Sequence, residues 1–103
     1  MELLIIAHLY IHPGQEAAFH TFESQALARF RAHGGEVLAA FRPRPSAAGT
    51  PTPDEIHVLR IGSADAFAAY RADPALAALA SLRAQAIAAT EIFISEEIIE
   101  YPE

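Results

Sequence analysis

Cysteine, tryptophan, lysine and asparagine are all absent from this chain of 103 residues. Without cysteine there is no disulfide, no thiolate nucleophile and no thiolate-ligated metal centre. Without lysine, the cationic side chains are seven scattered arginines, set against 13 acidic residues for a formal net charge of −6. That balance argues against nucleic acid or an anionic membrane as a partner. No basic segment precedes the first apolar run, and the run is too short to span a bilayer. A cytoplasmic protein with no membrane partner is therefore expected.

What is present is apolar: 52% of the residues are hydrophobic. The length bounds the chain to one domain, residues 1–103, with a single modest core. Such a composition fits a domain that hides some apolar surface in an oligomer. The first strand, residues 3–12, shows why. Strand side chains alternate between faces, and Leu3, Ile5, Ala7, Leu9 and Ile11 form a wholly apolar set. The other set is Leu4, Ile6, His8, Tyr10 and His12, with none of the residues usual on a solvated face.

Pro13-Gly14 then turns the chain into a helix over residues 15–32, where Phe19, Phe22, Ala26, Leu27 and Phe30 recur at helical spacing. Gly34-Gly35 ends it. Residues 36–42 and 54–61 read as strands, joined by a proline-rich connector over 43–53. Ser63 is placed to cap a short helix over 64–71. Asp73-Pro74 has the form of an N-cap followed by proline at the first helical position, which opens a longer helix over 74–89. A last strand is expected over 91–99.

The order β-α-β-β-α-β predicts an α+β, ferredoxin-like sandwich: a four-stranded antiparallel sheet with its helices on one face. The other face is left bare. Two such faces against each other make the simplest cover, so the expected partner is a second copy of the chain.

Gly34-Gly35, Ile61-Gly62-Ser63, Tyr70 with Asp73-Pro74, and Arg83 together give the chain a resemblance to the dimeric α/β-barrel superfamily. That group includes cofactor-free antibiotic-biosynthesis monooxygenases, stress-responsive barrel proteins and small families of unknown function. The likeness is strongest to one of the families of unknown function and covers nearly the whole chain. The resemblance implies a homodimer with no cofactor and a small hydrophobic or aromatic ligand, with Arg60 turned inward. Where relatives carry Glu on strand three this chain has Arg60, and where they carry Glu and Tyr after the proline it has Ala75 and Leu76. The oxygenase relatives surround substrate with Asn and Trp, which this chain lacks.

Chemistry is concentrated on the even face of strand one. His8 and Tyr10 stand roughly 6.6 Å apart along the strand, a base and a phenolic donor spaced for a planar ligand or carbonyl. With Arg60 to stabilise an anion, they form the expected catalytic set of a cofactor-independent, monooxygenase- or isomerase-like enzyme acting on an enolisable compound. Leu4, Ile6, His12, His57, Tyr70 and Arg83 are the expected ligand-binding residues. The competing class is a non-catalytic dimeric binding or stress-response module, in which His8 and Tyr10 only pair subunits. A third class is a histidine metal site. His8 and His12 lie roughly 13 Å apart, too far to share a zinc bound at about 2.1 Å. A metal therefore needs His8 and His57 on one face, and alternation leaves open which face His57 takes.

Overall fold

The computed structural model describes residues 1–102. The elements run β1 (Leu3–Ile11), α1 (Glu16–Ala32), β2 (Glu36–Phe41), β3 (Glu55–Ile61), α2 (Ala64–Arg71), α3 (Pro74–Ala77), α4 (Ala80–Ala86) and β4 (Ile87–Ser95). The four strands form one antiparallel sheet in the order β2-β3-β1-β4. This is the ferredoxin-like α+β arrangement, with the helices packed on one face of the sheet.

The odd positions of β1 make the floor of the core. Leu3, Ile5, Ala7 and Leu9 are buried under Phe19, Phe22, Ala26 and Phe30 of α1, and Phe19 and Phe30 are each only 1% exposed. Burying one such aromatic side chain contributes about 1.5–3 kcal/mol. Two glycines set how α1 ends. Gly34 takes φ +85°, a left-handed angle that ordinary side chains resist. Gly35 lies so close to the Phe30 ring that a β-carbon there would overlap it. The pair thus combines a helix stop with a packing constraint.

The second helical segment departs from expectation. A helix over 74–89 is replaced by α3, a turn through Ala78-Leu79, and α4 ending at Ala86. The strand begins at Ile87 rather than residue 91, and ends at Ser95 rather than 99. The cause is the partner strand. β1 offers pairing along its whole length, from Leu4 opposite Ser95 to Ile11 opposite Ile87, with a bulge at Tyr10-Ile11. Ile87 is buried by joining that ladder, whereas the alanine-rich segment before it has no apolar stripe strong enough to extend the helix.

Asp73 joins α1 to the start of α3. Its Oδ1 accepts from the Ala75 amide at 2.8 Å, capping α3. Its Oδ2 accepts from Arg29 Nε at 2.9 Å and lies 2.8 Å from both Arg29 Nη2 and His33 Nε2 at the end of α1. The hydrogen bonds from His33, Ala75 and Arg29 hold this carboxyl down at about 2. No helix among the described residues is long and apolar enough to cross a membrane.

Candidate functional site

The sheet separates the candidate residues into two groups. Ala7 pairs with His57 and Leu9 with Thr90, so His57 and Thr90 share the helix-covered face with the odd residues of β1. His8 pairs with Ile56 and with Glu91, and Leu4 with Arg60, so His8, Tyr10 and Arg60 occupy the bare face. A metal shared by His8 and His57 is therefore ruled out by the register: the sheet itself lies between the two rings.

On the bare face the polar groups find partners within the chain. The Tyr10 hydroxyl donates to Glu91 Oε1 at 2.8 Å, and that bond pushes the phenol above its ordinary range. His8 Nδ1 lies 3.6 Å from the same oxygen, and the His8 ring meets Phe93 edge-on at 5.4 Å between centroids. Arg60 pairs with Glu36, and more loosely with Glu2 at 3.9 Å. Glu36 is the largest cause raising the guanidinium above its usual value. Arg60 is opposite Leu4, four residues along β1 from His8, so one chain does not assemble His8, Tyr10 and Arg60 as a trio. Leu4 and Ile6 belong to this same face, and His12 is exposed at the strand's end.

The helix-covered face holds a cavity of about 240 Å³. It lies where the two halves of the core meet, bounded by Ala7 and Phe22 on one side and by Ile5, Leu59 and Phe67 on the other. Short helices with many alanines, α2 to α4, roof it incompletely. His57, Tyr70 and Arg83 line it, as do Glu23 and Arg71.

Of this wall, His57 and Glu23 form an ion pair at 3.7 Å, and Glu55 backs His57 from outside the lining. His57 is 2% exposed, and its Nε2 lies 2.6 Å from Glu55 Oε2. Glu55 Oε1 in turn accepts from Arg42 Nε at 3.3 Å. A carboxylate only accepts, so it orients the Nε2–H of the imidazole and leaves Nδ1 toward Glu23, 3.7 Å away. That gap is too long for a direct hydrogen bond. Burial pushes the Glu23 carboxyl up to about 7, against the opposing pull of His57. Burial, reinforced by the charge of Glu23, raises the Tyr70 phenol to about 12. The Tyr70 hydroxyl thus stays protonated, a hydrogen-bond donor across the physiological range.

Glu23 is absent from the expected site residues, although the sequence carries a signal for it. It lies four residues after Phe19, three before Ala26 and seven before Phe30, on the apolar stripe of α1 itself. A carboxyl on such a stripe is either neutral or partnered, and here it faces a cavity.

The sequence profile of a family described as a domain of unknown function, DUF1330, matches residues 3–97. The chain belongs to the DUF1330 family. No curated protein matches it. Among solved structures it is similar to RPA0582, a protein of unknown function from Rhodopseudomonas palustris. The identity is 14% with a TM-score of 0.82, covering 96% of this chain and 84% of that one. It is also similar to SnoaB, a cofactor-independent oxygenase from Streptomyces nogalater, at 18% identity and a TM-score of 0.71, covering 99% and 98%. A NIPSNAP-like domain protein from Burkholderia xenovorans matches at 13% identity and a TM-score of 0.68, covering 99% and 90%. At these identities the likeness is one of fold.

Proposed function

We propose that this DUF1330 protein is a homodimeric acid–base enzyme that acts without a resident cofactor on a small, largely apolar, enolisable compound held between sheet and helices. The observation that carries this reading is the pair of Glu23 and the buried His57 lining an apolar cavity, with Glu55 holding the imidazole from behind. A carboxyl titrating near 7 is matched to proton abstraction and return at neutral pH. Glu23 would take the proton from a carbon next to a carbonyl, and Arg83 and the Tyr70 hydroxyl would stabilise the enolate oxygen. His57, held by Glu55, would orient the carboxyl and move its proton. The cavity is smaller than the roughly 300–1,000 Å³ of drug-sized sites, which limits the compound to about one ring. The likeness to SnoaB supports cofactor-free chemistry on this fold by analogy alone.

The bare sheet face is assigned to subunit pairing. Phe41 and Phe93 are half-exposed there, and Ile98, Ile99 and Tyr101 of the tail beyond β4 are largely exposed. A second copy would cover the sheet's apolar groups. His8, Tyr10 and Glu91 then fix the register of pairing rather than carry chemistry.

Deuterium exchange tests the enzyme. Phenylpyruvate in heavy water is followed by proton NMR at the carbon beside its keto group. The protein should accelerate loss of that signal over buffer, and Glu23→Gln should return the rate to the buffer value. Equal rates with wild type, variant and buffer would leave only a binding module.

A further inference from the structure

We propose that the cavity selects a small organic monoanion, taking its negative end at the rim formed by Arg71 and Arg83 and its apolar body inside. This rests on the reading of the helix-side cavity as the ligand site and adds the charge of the ligand to it.

Both arginines line the cavity and are exposed. In a chain of net charge −6, a guanidinium outside any ion pair is informative, and the nearest charge on Arg83 is the raised carboxyl of Glu23. Among the described residues, the arginine ion pairs engage Arg29, Arg42 and Arg60. Arg83 donates from Nη2 to Thr90 Oγ1, a neutral partner, at 3.2 Å. Arg71 lies over the Phe67 ring, 4.8 Å from its centroid. That cation–π contact steadies the head group without neutralising it. Each guanidinium therefore keeps donors free in the fork geometry that suits a carboxylate.

The rest of the wall does not oppose an anion. The other ionisable groups lining it are Glu23, His57 and Tyr70. Tyr70 is neutral, and burial raises the Glu23 carboxyl to about 7, which lessens the charge it sets against an anion. Ile5, Leu59, Phe67 and Ile92 supply apolar contact for the body of the ligand. A monocarboxylate on a single ring or short branched chain satisfies both ends. A dianion would place its second charge against apolar side chains.

Calorimetric titration with benzoate and with benzamide, nearly equal in shape and different in charge, tests the inference. Wild type should bind benzoate roughly tenfold or more tightly than benzamide, as expected of a charge-assisted contact. Arg71→Gln and Arg83→Gln should each reduce benzoate toward the benzamide affinity, with a smaller effect on benzamide itself. Arg83→Lys should recover part of the difference. Arg44→Gln, in the connector between β2 and β3, should change neither ligand. Circular dichroism of each variant reports its folding. Equal affinities, or a preference for benzoate that survives both Gln variants, would overturn the selectivity and leave the cavity as the ligand site. Binding of neither compound would overturn both.

Discussion

Replacing Glu23 with Gln removes a buried carboxyl and leaves its shape, so the perturbation isolates the charge. In the folded chain the group titrates near 7, against an ordinary value of 4.5, with desolvation as the leading cause. The difference of about 2.5 units corresponds to about 3 kcal/mol at 1.36 kcal/mol per unit. The sign follows from proton counting. Between 4.5 and 7 the unfolded chain has released this proton and the folded chain retains it, so stability falls as pH rises. The contribution is fully present below 4.5 and lost once pH passes the folded value. Urea unfolding of wild type and Glu23→Gln at one protein concentration, from acid to mildly alkaline pH, measures it. The stability of the variant relative to wild type should rise by about 3 kcal/mol across that window and level off above 7. His57 is present in both proteins, so the difference follows Glu23. Parallel stability curves would refute the placement of a desolvated carboxyl in the cavity wall.

Asp73→Asn should weaken the joint between α1 and α3 at neutral pH. Because hydrogen bonds hold the native carboxyl at about 2, its stabilisation is present above the ordinary value near 4 and lost as pH falls through 2. The destabilisation should therefore shrink in strong acid, as read by denaturant midpoints. Gly35→Ala forces a methyl group into the Phe30 ring and should cost about 1–3 kcal/mol in chemical unfolding. Ile6→Asp on the bare face leaves the cavity intact and should convert a dimer into an 11.1 kDa monomer by light scattering. A monomeric wild type would remove the pairing proposal.

The fold was legible in the sequence where periodicity was strong. The alternation of β1 marks two faces, the Phe19–Phe30 stripe marks α1, and Ser63 and Asp73-Pro74 mark helix starts by their capping chemistry. Ser63 accepts from the Ala66 amide and Asp73 from that of Ala75. The start of β4 was not legible, because alanine is compatible with both states and the length of β1 decides the boundary. For the site, alternation places His57 with Leu59 and Ile61, but only pairing with Ala7 shows that this set meets the helices. His8, Tyr10 and Arg60 stand out in the sequence as polar residues among apolar strand positions. Their carboxylate partners Glu91 and Glu36 come from other strands, which local pattern does not reveal. Arg60 does share a face with His8, yet the antiparallel register separates them by four residues. Glu23 lies on the apolar stripe of α1, but only the packing of the helices over the sheet shows that this position meets a cavity.

The most direct test asks which side of the sheet holds the ligand. Alternate strand residues present their methyl groups to opposite faces, so methyl-labelled protein with bound benzoate can be read by intermolecular nuclear Overhauser effects. Contacts from the ring protons to the methyl groups of Ile5, Leu59 and Ile92 are expected, with none to those of Leu4, Ile6 and Val58. The reverse pattern would move the site to the bare face and contradict the assignment of Glu23 and His57 as its chemical groups.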